Sequence, residues 1–417
     1  MRAPFRKALL LFVAASVTAA GGWMQNPAPS PAPQAPPPAA PAGGGRGAPV
    51  RSPEIGPDRR VTFRLRAPNA REVVVAVGQT KLSLQKDEQG VWSGTTEPLA
   101  PEIYTYSMIV DGTTIVDPSN RQFQTSFGSH QAMFSVPGSA PWLPQPGVAR
   151  GAVARHTYRS AVASDEREFF VYTPPGYSPQ RSRPYPVLYI LHGLGDDAER
   201  WMNGGAANVI LDNLIAKGEA VPMVMVAPLG YGTSLGPAGG RGAQNLVGSS
   251  RALLDEVMPA VDRAYHVSRN RTERAIAGLS MGGAEALYVG LNHLETFASI
   301  ASFSGALLLF PPAFDGAPAR GAGGGGRGAG PAPLDSAVFD RTFPALSARS
   351  NAQIQLLWIV CGTADSLIGQ NRQFKTWLTS KGVTFTEQEV PDIGHVWPLW
   401  RQNLADLAPR LFRPTRN

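Results

Sequence analysis

From residue 51 to about 137, hydrophobic and polar positions alternate in short runs at 61–66, 72–77, 81–84, 91–94, 103–110 and 113–116. Turn residues separate them: Pro68-Asn69, Asp87 to Gly90, Asp111-Gly112 and Pro118 to Asn120. Alternation with a period of two is the pattern of half-buried strands, and six or seven in so short a stretch predict a small, immunoglobulin-like all-β sandwich. Trp92, Tyr104 and Tyr106 sit in these runs. Aromatics at alternate strand positions usually build the core, and a sugar-stacking face is the competing reading.

After about residue 151 the runs become continuously apolar, at 186–191, 223–227, 274–277, 297–303, 354–361 and 384–390, with β-like stretches at 156–159 and 168–172 before them. Helical patterns at 206–216, 250–265, 281–291, 370–380 and 399–411 fall between and after them. Strands that are apolar throughout are covered on both faces, so this alternation predicts an α/β fold with a mostly parallel sheet. Two stretches have no periodicity. Residues 21–50 and 316–333 are dominated by Pro, Ala and Gly, and read as a solvated linker and an insertion without a core of its own.

The first twenty residues read as an export signal: Arg2, Arg6 and Lys7, an apolar run from Ala8 to Ala20, and small residues at Thr18-Ala19-Ala20 for cleavage. The run is short for a membrane span and no later stretch matches it, so no stable span is expected once the signal is removed. An uncleaved signal anchor is the other possibility. The expected order is therefore a signal at 1–20, linker at 21–50, β-module at 51–138, connector at 139–150 and α/β domain at 151–412, in a periplasmic or extracellular protein. Cys361 is the single cysteine, which excludes an intramolecular disulfide. The 417 residues carry 38 Lys and Arg against 31 Asp and Glu, and removing the three cations of the signal leaves 35 against 31, a net +4. These charges are scattered, which gives nucleic-acid binding no support.

Candidate chemistry centres on Gly278-Leu279-Ser280-Met281-Gly282, where an apolar run meets a helical pattern. This Gly-x-Ser-x-Gly spacing suits a sharp strand-to-helix turn: Gly278 and Gly282 leave room for strained backbone, and the serine hydroxyl stands above the sheet edge. A plain glycine-rich turn is the bland alternative. A serine nucleophile needs a base. Of the six histidines, His395 alone lies after the last strand and before the last helix, where this architecture delivers its base. His192 belongs to a His-Gly turn. The acid is expected after the preceding strand, in Gly362-Thr363-Ala364-Asp365, although Asp392 also lies close to His395 in the chain. The N–H groups of Met281 and Leu194 are the candidate oxyanion donors.

Several segments resemble the esterase D and feruloyl esterase group of α/β-hydrolases, carbohydrate esterase family 1. They are Val171-Tyr172-Thr173-Pro174-Pro175-Gly176-Tyr177, Tyr189-Ile190-Leu191-His192-Gly193, Trp201 with 210–216, the serine turn, Phe303-Ser304-Gly305, the Asp365 turn and Gly394-His395-Val396-Trp397. The 51–137 stretch resembles the early-set β-sandwich that precedes such esterases, siderophore-ester hydrolases among them. The resemblance implies a Ser280–His395–Asp365 triad, no cofactor and no metal, and an ester substrate linked to plant polysaccharide. Asp392-Ile393 before Gly394-His395 and the glycine-rich insertion depart from the family pattern. Trp201 and Trp397 in the matching segments, and Tyr231 in the 230–248 stretch that reads as a substrate loop, are candidate substrate-binding side chains.

Two classes of function stay open. One is an exported serine esterase on feruloyl- or acetyl-type esters, with siderophore trilactone hydrolysis and wall acyl transfer as variants. The other is a non-catalytic carbohydrate-binding envelope protein. With all three candidate residues outside the β-module, cleavage of small esters is expected to survive its removal. Oligomeric state is not legible.

Overall fold

Ten short strands come first in the computed structural model, which describes residues 50–413 except 79, 128, 233–242 and 311–333. They are β1 (Glu54–Ile55), β2 (Val61–Arg66), β3 (Val73–Val77), β4 (Thr80–Ser83), β5 (Gln85–Lys86), β6 (Val91–Thr95), β7 (Ile103–Val110), β8 (Thr113–Ile115), β9 (Phe123–Ser126) and β10 (Ser129–Ser135). Two antiparallel sheets result, in the orders β1-β2-β6-β5 and β4-β3-β7-β10-β9, with β8 paired to β7. Alternate residues turn inward, as period-two patterning requires: Val61, Phe63 and Leu65 of β2 meet Val73 and Val75 of β3 and Tyr106 and Met108 of β7. Trp92 and Tyr106 are buried in this core, and the Tyr106 hydroxyl donates to Asp117 Oδ2 at 2.7 Å. They form core and offer no sugar-stacking face.

The sequence pattern does not announce the β9–β10 hairpin. Its residues are mostly polar: Met133 and Phe134 of β10 are buried, while Phe123 and Phe127 remain exposed.

The second sheet has eight strands: β11 (Ala152–Arg159), β12 (Glu166–Thr173), β13 (Val187–Leu191), β14 (Val224–Pro228), β15 (Arg274–Leu279), β16 (Ser299–Phe303), β17 (Leu356–Gly362) and β18 (Thr386–Val390). Their order is β11-β12-β14-β13-β15-β16-β17-β18. β12 is antiparallel to both neighbours, and every other pairing from β14 onward is parallel. The helices are α1 (Arg200–Asn203), α2 (Ala207–Ala216), α3 (Ala243–Arg251), α4 (Met258–Ala264), α5 (Met281–Asn292), α6 (Ala337–Thr342), α7 (Ile368–Ser380) and α8 (Trp397–Leu407). They cover both faces, which is why all five residues of β13 are buried. Leu188 and Ile190 face a core shared with α2 and α8, while Val187, Tyr189 and Leu191 face one shared with α4, α5, α6 and α7. This is the α/β-hydrolase arrangement, preceded by an immunoglobulin-like sandwich.

The two parts meet through specific contacts. Arg401 on α8 is buried; its Nη1 donates to Glu102 Oε1 at 2.9 Å, and its Nε and Nη2 both donate to Gly204 O. Asn213 Nδ2 donates to the carbonyls of Pro141 and Leu143, which precede β11. Among the described residues no helix is long and apolar enough to cross a membrane. The expected signal, nearly all of the linker, the 316–333 insertion and the middle of the 230–248 loop lie outside the described residues.

Candidate active site

Parallel strands from β13 to β18 end on one edge of the sheet, and Leu194, Ser280, Asp365 and His395 all follow strands at that edge. Ser280 ends β15 and begins α5, at φ 53° and ψ −114°. Such a backbone is unfavourable for a side-chain-bearing residue and persists only where the surroundings enforce it. Here they do. Ser280 N donates to Phe303 O at 2.9 Å, Ala306 N donates to Ser280 O at 2.9 Å, and Gly282 N donates to His192 O at 3.0 Å. A Cβ on Gly278 would overlap the Gly282 carbonyl, and one on Gly282 would overlap the Leu191 carbonyl. Both glycines are therefore required by close backbone approach.

His395 and Asp365 come from loops laced together by backbone bonds. Thr363 N donates to Val390 O at 2.8 Å and Ala364 N to Ile393 O at 3.1 Å. His395 Nδ1 lies 2.7 Å from Asp365 Oδ2, and Leu367 N donates to the other carboxylate oxygen at 2.9 Å. Burial pushes the Asp365 carboxyl up. The hydrogen bond and charge of His395, the Leu367 N–H and the Ser304 hydroxyl outweigh that, so it lies below its ordinary value. Asp392 is exposed at φ 56°, with its N–H donating to Thr363 Oγ1. The imidazole thus pairs with Asp365 and not with Asp392.

Ser304 was not singled out by sequence. It is fully buried, at φ 51°, directly after β16. Its hydroxyl bonds Asp365 and receives Trp400 Nε1 at 3.4 Å, while the Trp400 ring packs edge-on to His395 with centroids 4.8 Å apart. Nothing in a Phe-Ser-Gly tripeptide signals that role.

The loop after β13 supplies the other wall. A side chain on Gly193 would come within 3.6 Å of Ser280 Cβ, so the loop passes close to the serine. His192 is buried and held neutral: Gly230 N donates to its Nε2 at 2.9 Å, Nδ1 faces Gly193 O at 2.8 Å, and burial lowers its pKa to about 4. It is a structural turn residue, as expected. Neither Leu194 N–H nor Met281 N–H has a hydrogen-bond partner among the described residues.

Asp196 and Arg200 form a second buried pair, Nε to Oδ1 at 3.2 Å. Burial pushes the Asp196 carboxyl up to about 6 against the opposing charge of Arg200, and His395 lies within its electrostatic reach. The i,i+4 spacing of opposite charges was the available signal for this pair.

Among the aromatics, Trp201 is fully buried and donates to Leu191 O at 2.9 Å, and Tyr231 is fully buried too. Neither ring presents surface to a substrate, which corrects the direct contact expected of both. Tyr231 instead braces the loop after β13: Gly195 N donates to its hydroxyl at 2.7 Å, and that hydroxyl donates to Asp196 O at 3.1 Å. Trp397 is half-buried beneath the Arg200 guanidinium, 4.8 Å from its ring centroid. Around Met281, an apolar cluster gathers Tyr231, Ala306, Leu309 and Leu367, with Leu194 and Leu229 against it, all contributed by loops at the same sheet edge. The sandwich is not remote either, since Phe127 N donates to Gly195 O at 2.8 Å and Thr125 Oγ1 to Asp197 Oδ2 at 2.6 Å. Among the described residues no three His, Cys, Asp or Glu side chains gather as a metal site.

A family model described as "Putative esterase" matches residues 160–411, more than half of the chain. The chain belongs to the Esterase family. Its curated relatives include the endo-1,4-beta-xylanase/feruloyl esterase of Xylanibacter ruminicola, 31% identical over 264 residues, covering 61% of this chain and 36% of that protein. An acetyl esterase of Caldicellulosiruptor saccharolyticus is 27% identical over 166 residues, covering 36% of this chain and 59% of that one. The chain therefore spans less than two thirds of each of these relatives, 36% of one and 59% of the other. Among solved structures, the enterobactin esterase of Shigella flexneri aligns with a TM-score of 0.57 at 21% identity, over 85% of this chain and 94% of that one. A ferulic acid esterase of Anaeromyces mucronatus aligns with a TM-score of 0.50 at 23% identity, over 64% and 93%. At such identities these two speak for the fold.

Proposed function

We propose that this esterase-family member is an exported serine carboxylic-ester hydrolase that cleaves feruloyl- or acetyl-type esters of plant polysaccharide. What carries the reading is Ser280, held in a strained turn after β15, together with a His395–Asp365 pair at 2.7 Å on loops that leave the same edge of the sheet. The 31% identity to a xylanase/feruloyl esterase supports the substrate class. Residues 1–20, as an export signal, agree with a polysaccharide met outside the cytoplasm. The proposed division is a β-module at 51–138, a connector at 139–150 and the esterase domain at 151–412.

In the proposed mechanism His395 Nε2 takes the Ser280 proton as Oγ attacks the ester carbonyl. Asp365 holds the Nδ1–H tautomer and stabilises the imidazolium. The oxyanion is received by the N–H groups of Leu194 and Met281, two backbone donors that need no reorganisation. Collapse of the tetrahedral intermediate expels the alcohol, protonated by His395, and leaves an acyl-serine. Water, deprotonated by His395, then releases the acid and restores the hydroxyl.

A panel of methyl ferulate, an aryl acetate, acetylated xylan and a catechol trilactone tests the substrate class. Highest kcat/KM on the ferulate or acetylated xylan is expected. Preference for the trilactone would move the reading to siderophore hydrolysis, and failure on all four would remove the hydrolase reading.

A further inference from the structure

The β9–β10 hairpin lies against the candidate site. Phe123 and Thr125 share one side of β9 by alternation, and Phe127 follows in the hairpin turn. Between the two phenylalanines, the Thr125 hydroxyl bonds Asp197 of the loop after β13, and Phe127 N–H bonds Gly195 in the same loop. The Phe127 ring packs edge-on against Tyr231, with centroids 5.4 Å apart and planes at 87°. Tyr231 in turn belongs to the apolar cluster around Met281, the residue after Ser280. Yet Phe123 and Phe127 stay 48% and 40% exposed. A joint made only for stability would bury its aromatic side chain; Phe127 borders open space.

That space is a groove of ≈ 270 Å³ lined by Phe127, Arg155, Thr157, Glu168, Asp197 and Leu229. One end, at Leu229, touches the apolar cluster of the candidate site. The rest is ionised or hydroxylated, with Arg155 and Glu168 paired through Nε at 2.6 Å. One exposed aromatic face among fixed charged and hydroxyl groups suits a neutral polyhydroxylated ring: the C–H face stacks on the aromatic and the hydroxyls meet the polar wall. A purely apolar acyl group would leave those polar groups unpaired.

We propose that this groove is a saccharide subsite for the alcohol part of the substrate, built jointly by the sandwich and the hydrolase domain, with Phe127 as its stacking platform. The idea rests on the ester-hydrolase reading above and adds that the β-module determines specificity. The groove meets the apolar cluster next to Ser280 at Leu229, so the sugar chain runs outward from there beneath the hairpin.

The test compares the full chain with Phe127→Ala and Phe127→Trp, on a feruloylated arabinoxylo-oligosaccharide and on p-nitrophenyl acetate. Phe127→Ala should lower the ratio of kcat/KM between the two esters about tenfold, through KM of the oligosaccharide, and Phe127→Trp should restore it. Should the alanine variant fail to fold, Phe127→Leu keeps the apolar bulk against Tyr231 without a flat face and should show the same loss. A parallel loss on both esters would mean that Phe127 only braces Gly195, and an unchanged ratio would mean that the groove binds no sugar; either overturns the proposal. If the wild-type chain cleaves no ester, calorimetry with unesterified xylohexaose still decides. Binding that is lost in Phe127→Ala upholds the subsite, and no binding to the wild-type chain overturns it.

Discussion

Replacing Asp365 by Asn changes one atom in a buried site and tests the acid's role directly. Leu367 N–H donates to Asp365 Oδ1, so the Asn carbonyl oxygen is held at that position and its NH2 group falls where Oδ2 now meets His395 Nδ1. Two donors then face each other. The imidazole escapes by moving its proton to Nε2, the atom that must accept the Ser280 proton. The flipped amide would set NH2 against the Leu367 N–H and gains nothing. Loss of both the usable tautomer and the charge opposite the imidazolium should lower kcat by roughly 10⁴, about 5.5 kcal/mol in barrier. Folding should survive, because the amide keeps the Leu367 bond and the side-chain volume. Steady-state kinetics on a chromogenic ester, with thermal melts of each variant, give the comparison. Asp392→Asn, on an exposed residue, should stay within about tenfold of wild type. The reverse ranking would move the acid to Asp392 and refute the orientation argument.

Glu285, on α5 behind the site, is fully enclosed: Ser249 donates to Oε1 at 2.7 Å, Oε2 has no partner among the described residues, and burial pushes the carboxyl up to about 8. The folded state thus favours the protonated acid, so its contribution to stability is complete below about pH 4.5 and declines as pH rises toward 8. Glu285→Gln should flatten that decline in urea-unfolding stability between pH 5 and 8, and an unchanged slope would show that Glu285 titrates normally. Arg401→Ala strands Glu102 and the Gly204 carbonyl at the joint between sandwich and hydrolase domain. Unfolding free energy should fall by about 3 kcal/mol or more, and a change below about 1 would mean the pair is solvated.

Much of the hydrolase fold was legible because its signals are local. Both the continuously apolar strands and the Gly-x-Ser-x-Gly turn are consequences of backbone packing, and the Gly278 and Gly282 contacts show why no larger residue fits. His395 and Asp365 were found from their order along the chain, since each loop leaves the sheet at a fixed edge. What escaped depends on distant partners. Ser304 gains its role from Asp365 and Trp400, which lie far away in sequence. β9 carries a weak pattern because its one apolar residue, Phe123, is exposed and its buried residue, Gln124, is polar. Trp201 and Tyr231 looked like substrate aromatics by position, but burial makes them supports. The Phe127–Gly195 bond, which ties the module to the loop carrying Leu194, was not legible either.

The nucleophile carries the whole account. Treating the full chain with a fluorophosphonate and measuring its intact mass should show a single adduct, mapped by peptide analysis to Ser280. Ser280→Ala should take up no label and lose roughly 10⁴-fold or more in turnover on the same chromogenic ester, while melting like the wild type. A label on another residue, or a tenth of wild-type activity left in the alanine variant, would contradict it.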